Sequence, residues 1–147
     1  MFNAELVNPS AVEFVSIDPG GTTGVVTWDA NAKLLDALQL NREEFEDFLE
    51  KVSPAQVICE EYIVNPHVRH GGQKVETLRI IGAIESYCRR NKILLEMQRP
   101  QILTIAQKWS GKKMPKNHGI SHWVSAYLHG YYFLHRKGLI KARVLDD

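Results

Sequence analysis

Residues 14–28 read Phe-Val-Ser-Ile-Asp-Pro-Gly-Gly-Thr-Thr-Gly-Val-Val-Thr-Trp, and the other elements of the chain can be placed relative to them. Two runs rich in β-branched residues flank a Pro-Gly-Gly turn, which is the pattern of two strands joined by a tight hairpin. Asp18 closes the first run, so a rigid sheet would hold its carboxylate where the chain turns. The glycines allow a ligand to approach the backbone closely. Asp18 is therefore either a catalytic or metal-binding group or only the cap of a turn, because Asp-Pro-Gly marks turns in general.

The composition is that of an ordinary globular protein. The chain has 147 residues, of which 44% are hydrophobic and 24% charged, and this predicts one domain over residues 1–147 with a substantial core. The formal net charge is +1, so any surface that binds nucleic acid must be a local basic patch. Cys59 and Cys88 fit no metal-binding spacing and are expected to be reduced core residues. Neither a membrane span nor a signal peptide is visible, so we expect a cytoplasmic protein without membrane attachment.

Hydrophobic periodicity predicts further elements in the order β-β-β-α-β-α-β-α-α. Residues 33–40 extend the hairpin to an antiparallel meander. Asn41 and Glu44 form a capping-box pattern that begins a helix at about residue 42. The apolar run 55–60 follows that helix and is expected to lie parallel to the first strand. The remaining predictions are a helix over 75–90, a strand over 93–97, a helix beginning near Pro100 and a final helix over 119–136.

A second acid closes the predicted fourth strand. Glu60 ends this strand as Asp18 ends the first, and the carboxyl ends of parallel strands lie at the same edge of a sheet. Glu61 follows directly, and neighbouring side chains of an extended chain point to opposite faces, so only one of the two glutamates is expected to face Asp18. The sequence thus predicts that two acids more than forty positions apart converge at one edge of the sheet.

The element order and the two acidic motifs resemble those of the RuvC-type Holliday-junction resolvases, especially the compact forms found in bacteriophages. Ile-Asp-Pro-Gly at residues 17–20, with Thr-Gly at 23–24, is similar to the opening motif of that family. Val-Ile-Cys-Glu at residues 57–60 is similar to its second motif. The resemblance implies a ribonuclease H-like α/β fold with a five-stranded mixed sheet, three antiparallel strands and then two parallel ones, flanked by helices. It also implies a homodimer, since junction resolvases cut two strands symmetrically.

The activity implied by the resemblance is metal-dependent hydrolysis of phosphodiesters in branched DNA such as Holliday junctions. In this chemistry two cations activate water and stabilise the leaving oxygen. The residues at the catalytic positions are Asp18, Glu60, His122 and Ser125. Of these, Asp18, Glu60 and His122 are the expected ligands of Mg²⁺ or Mn²⁺, and His122 is alternatively a general base.

The third motif departs from the family pattern, because Ser125 stands where an aspartate is expected three residues after His122. The resemblance therefore leaves two functions open. One is an active endodeoxyribonuclease. The other is a catalytically weakened or inactive protein that binds branched nucleic acid on the same fold. A phosphate loop of a sugar-kinase or actin-like ATPase is a third reading of residues 18–22, but those enzymes need a second domain for which the chain has no room.

The predicted final helix carries a stripe of polar residues at spacings of four, three and four, which places them on one face. They are His118, His122, Ser125 and His129. The stripe is either a solvated face or the face that borders the catalytic edge. Small residues between this stripe and the apolar side, including Ala126 and Gly130, would let the helix lie close to the sheet.

Basic residues flank the predicted site and are expected to contact DNA phosphates. They are Arg69, Lys74, Lys112, Lys113 and Lys116. A handful of such contacts gives salt-dependent binding with little sequence preference, although an ordinary solvated loop can carry the same lysines. Three aromatic residues, Tyr87, Trp123 and Tyr132, are predicted to be exposed and available to a dimer interface.

Overall fold

The computed structural model describes residues 6, 8–63, 72–116 and 121–140, with the backbone alone at residues 72 and 73. The strands are β1 (Phe14–Asp18), β2 (Thr23–Trp28), β3 (Leu34–Leu40), β4 (Gln56–Glu60) and β5 (Leu94–Gln98). The helices are α1 (Arg42–Lys51), α2 (Gly72–Asn91), α3 (Ile102–Ser110) and α4 (Ser121–Arg136), and a short 3-10 helix (Pro9–Ala11) precedes β1. The order predicted from periodicity is confirmed, although α2 begins three residues earlier than its pattern indicated.

The five strands form one mixed sheet in the order β3-β2-β1-β4-β5. The meander β1-β2-β3 is antiparallel, whereas β4 runs parallel to β1 and β5 runs parallel to β4. Ile17 pairs with Cys59 at the last register position of β1 and β4. The carboxyl ends of β1, β4 and β5 therefore lie at the same edge of the sheet, as the sequence predicted for β1 and β4.

The helix after the meander begins where the capping-box pattern indicated. The Asn41 side chain accepts a hydrogen bond from the Glu44 backbone N–H at 2.9 Å, and the Glu44 carboxylate accepts one from the Asn41 N–H at 3.0 Å. Both bonds satisfy backbone donors that the first helical turn leaves unpaired. Phe45 and Phe48 of this helix are fully buried against one face of the sheet.

Alternate residues of the strands divide between two layers, because side chains along a strand point to opposite faces. Val15 and Ile17 pack with α1 and α2, whereas Phe14 and Ile58 pack with α4. Residues of the same parity as Phe14 and Ile58 thus lie on the α4 side. At the carboxyl ends of β1, β4 and β5 these residues are Asp18, Glu60 and Gln98.

Two glycines allow α4 to lie directly on the sheet. A Cβ added at Gly130 would come within 2.6 Å of the Ser16 hydroxyl and of the Trp28 indole nitrogen. A Cβ at Gly24 of β2 would overlap the backbone carbonyl of His122 at the start of α4. The prediction that small residues permit close packing of the last helix is therefore confirmed at Gly130.

Some expectations about side-chain exposure hold and one is wrong. Cys59 and Cys88 are free, buried thiols, as predicted, and burial raises the pKa of Cys88 to about 11. Tyr87 was predicted to be exposed, but it is buried, and its hydroxyl donates a 2.6 Å hydrogen bond to the Val52 carbonyl. Trp123 and Tyr132 are partly buried against α3. None of the helices in the described ranges has the length and hydropathy of a membrane span.

We expect Gly24→Ala to lower the free energy of unfolding by about 1–3 kcal/mol, because the new methyl group would force the His122 backbone, and with it α4, away from the sheet. Gly82→Ala is the matched control. Nothing lies within 4 Å of the Cβ position in the middle of α2, so alanine should stabilise the helix by about 1 kcal/mol. Urea unfolding followed by circular dichroism measures both variants, and a neutral Gly24→Ala would contradict the close packing of α4.

Candidate active site

Two carboxylates lie side by side at the edge of the sheet that β1 and β4 share. Asp18 and Glu60 each directly follow the paired residues Ile17 and Cys59. Their side chains are 16% and 21% exposed, respectively, so they reach solvent from rigid strands. The adjacent Glu61 has a different environment, since its carboxylate lies 3.9 Å from the Arg99 guanidinium.

His122 lies next to Asp18, with 3.6 Å between Nδ1 of the imidazole and Oδ2 of the carboxylate. The strand pairing accounts for this position, because Asp18 pairs with Gly24 and the His122 carbonyl rests on Gly24. Burial raises the pKa of Asp18, the interaction with His122 opposes this shift, and the charge of Glu60 adds to it. The interaction with Asp18 raises the pKa of His122 despite its partial burial.

Glu60 is bound by two residues of α4 through a single carboxylate oxygen. The Ser125 hydroxyl donates to Oε2 at 3.2 Å, and Nε2 of His129 lies 2.6 Å from the same atom. Nδ1 of His129 lies 2.9 Å from the side-chain oxygen of Gln98, and the Gln98 amide donates to the Glu96 carboxylate at 2.9 Å. A buried hydrogen-bonded chain thus runs from β5 through α4 to the end of β4.

His129 is the residue that the sequence-based site assignment missed. It was recognised as part of the polar stripe, but it was not assigned a contact with either acid. The interpretation of the stripe as a solvated face is wrong for Ser125 and His129, because His129 is 0% exposed and Ser125 is buried. His122 is 38% exposed and borders solvent. His118 lies outside the described residues.

The donor atoms of the site match a hard divalent cation held by few protein ligands. Among the described residues, Oδ1 of Asp18 and Oε1 of Glu60 take part in no hydrogen bond or ion pair, and both are carboxylate oxygens of the kind that Mg²⁺ and Mn²⁺ prefer. Within the same ranges no three Asp, Glu, His or Cys side chains are arranged as a ready ligand set. The described residues therefore supply two carboxylates, and water or phosphate oxygens would complete the shell of a cation.

One of the basic residues proposed for DNA contact lies beside the start of α4. Lys112 lies over the ring of Trp123, with 5.0 Å from Nζ to the ring centre, and this anchors the loop that follows α3 beside the helix carrying His122. Lys113 and Lys116 of the same loop are exposed. Lys74 is exposed in the first turn of α2, and Arg69 lies outside the described residues.

In metal-free protein, we expect NMR titration to give His122 a pKa above its ordinary value, and Asp18→Asn to lower it toward about 6.5 by removing the neighbouring charge. A raised folded-state pKa means that His122 stabilises the fold below its unfolded pKa and loses this contribution as the pH rises through the folded-state pKa. Glu61→Gln is the control and should leave the His122 titration unchanged. The same pKa for His122 with and without Asp18 would contradict the pairing.

Comparison with known proteins identifies the fold. No protein-family model matches the chain, and no curated protein matches it. The solved structure of T. thermophilus RuvC in complex with Holliday junction substrate aligns with a TM-score of 0.59 and 17% identity, over 89% of this chain and 99% of that chain. Another Thermus thermophilus RuvC structure aligns with a TM-score of 0.54 and 18% identity, over 88% and 98% of the respective chains. The chain is thus an α/β protein with the ribonuclease H-like fold seen in these RuvC structures.

Proposed function

We propose that this protein is a divalent-metal-dependent endonuclease that hydrolyses phosphodiesters in branched DNA such as Holliday junctions. The observation that carries the proposal is the convergence of Asp18 and Glu60 at the carboxyl ends of β1 and β4, with His122 beside them. The fold shared with a resolvase described in complex with its junction substrate supports the choice of substrate class. A compact resolvase of the bacteriophage type is the form we propose.

The residues of this edge have distinct proposed roles. Asp18 and Glu60 would hold Mg²⁺ or Mn²⁺ through their free oxygens. When bound, the cation supplies activation of water and stabilisation of the leaving oxygen. His122 lies beside Asp18, which raises the pKa of the imidazole, and is accessible to solvent, so it is positioned to exchange a proton with a water molecule at the site. Ser125 donates to Glu60 and limits the rotation of its carboxylate.

The DNA surface proposed here is formed by the loop after α3 and the start of α2. Lys112, Lys113, Lys116 and Lys74 belong to it, and we also propose Arg69 as a phosphate contact. These side chains provide the local positive charge that a chain of formal net charge +1 requires for DNA binding. We further propose a homodimer with twofold symmetry, because a four-way junction presents two equivalent strands for cleavage.

A second function is favoured by the contacts that Glu60 already makes with α4. One of its two oxygens is already bound by His129 and Ser125, and serine stands where the resemblance expects an aspartate. A protein that binds branched DNA and hydrolyses it slowly or not at all would show this arrangement. The two functions predict the same binding of junctions and differ in cleavage alone.

We expect Asp18→Asn and Glu60→Gln to reduce Mn²⁺-stimulated cleavage of a synthetic four-way junction by about 100-fold or more, as the loss of other electrostatic catalytic groups does. Gel assays of cleavage and of binding, run on the same preparations, separate catalysis from recognition. Glu61→Gln is the matched control, since it alters a neighbouring glutamate that lies near Arg99. Absence of cleavage by the wild-type protein with either metal, together with tight junction binding, would favour the second function and exclude the first.

The lysines of the loop after α3 should determine the salt dependence of binding. We expect each of Lys113→Ala and Lys116→Ala to reduce the slope of log affinity against log salt concentration by about 0.9, because each removes one phosphate contact. Lys51→Ala is the control, because this exposed lysine ends α1 shortly before the amino end of β4, whereas Glu60 lies at the carboxyl end of that strand. Fluorescence anisotropy with a labelled junction measures the slopes, and equal slopes for all three variants would exclude this DNA surface.

A further inference from the structure

The contact with His129 of α4 fixes the orientation of the Glu60 carboxylate, which is a proposed metal ligand. The Gln98 amide nitrogen donates to Glu96, which turns the Gln98 oxygen toward His129. Nδ1 of His129 therefore donates to that oxygen, and Nε2 is directed at Oε2 of Glu60, 2.6 Å away. With partners on both sides and no exposed surface of its own, the imidazole cannot rotate without breaking its contacts with Gln98 and Glu60.

The packing of α4 prevents His129 from withdrawing. The next residue, Gly130, lies against Ser16 and Trp28 so closely that a Cβ would not fit. Trp28 also donates a 3.0 Å hydrogen bond to the Ser16 hydroxyl, which holds both contact groups in place. The position of His129 is thus set by the contact between helix and sheet rather than by the site alone.

The chain consequently presents one oxygen of Glu60 to a ligand. Oε2 is bound by His129 and Ser125, and Oε1 is the atom that remains. Two cations about 3.5–4 Å apart require carboxylate oxygens on both sides of the pair. Replacing Ser125 by aspartate would not supply them by itself. Its carboxylate would face Oε2 as a second acceptor with like charge, while His129 would still occupy that oxygen.

We propose that His129 is a positioning residue that restricts Glu60 to one free oxygen, so that the site binds a single divalent cation, and that Ser125 and His129 together exclude a second one. The inference rests on the proposed metal-dependent function and specifies the stoichiometry of its metal. Ser125 donates a hydrogen bond to Oε2 of Glu60, the oxygen that His129 also contacts. Both residues would therefore have to be replaced before a second cation could bind.

Mn²⁺ binding to the full chain without DNA tests this proposal by a readout independent of cleavage. Electron paramagnetic resonance and isothermal titration calorimetry should give one Mn²⁺ per chain for the wild type, with no spin-coupled pair. Ser125→Asp should also bind one. Ser125→Asp combined with His129→Asn should bind two, because the shorter asparagine side chain cannot reach from Gln98 to Glu60. His135→Asn, the same substitution elsewhere on α4 where the ring contacts Trp109, should bind one.

The possible results distinguish a failure of the single-cation proposal from a failure of the proposed endonuclease function. Two cations on the wild type, or on Ser125→Asp alone, would overturn the role of His129 and leave the endonuclease function standing if the junction is still cleaved. Absence of Mn²⁺ binding by the wild type would overturn the metal-dependent function and this inference together. Thermal unfolding verifies that each variant is folded. If the double variant does not fold, the wild type and Ser125→Asp still decide the question.

Discussion

The candidate site depends on how closely helix α4 packs against the sheet, because there is no room for a side chain between them at two positions. Gly24 and Gly130 leave no space for a side chain between helix and strands. At one end this contact places His122 against Asp18, and one residue before Gly130 it places His129 against Glu60. Helix α4 contributes no carboxylate to the described site, yet its side chains determine which carboxylate oxygens of Asp18 and Glu60 remain accessible to a ligand.

The charge at this edge is small for a site that would bind cations. Nε2 of His129 lies 2.6 Å from Oε2 of Glu60, so one oxygen of this carboxylate already has a partner. Burial opposes ionisation of Asp18, and His122 compensates its carboxylate. Because Coulomb attraction scales with charge, such a site would bind a cation more weakly than four carboxylates would and would gain more from the negative charge of a bound phosphate.

Much of the fold follows from local patterns. The capping box at Asn41 and the alternation of residues in β1 and β4 predict the elements and place Asp18 beside Glu60. The buried environment of His129 could not be predicted in this way, because periodicity assigns a residue to a helix face but does not identify the residues that this face contacts. Its partner Gln98 ends β5, where a polar residue ordinarily indicates solvent. Tyr87 was misassigned for a similar reason, since no local signal reveals that Val52 offers a carbonyl to its hydroxyl.

The strand order has a consequence for how the protein is made. β1 lies at the centre of the sheet between β2, its neighbour in sequence, and β4, which follows a further meander strand and a helix. During translation the hairpin containing Asp18 leaves the ribosome before β4 and before the histidines of α4. Pairing of β1 with β4 can therefore bring the two acids together before α4 docks, and the helix then adds His122 and His129 to an edge of the sheet that has already formed.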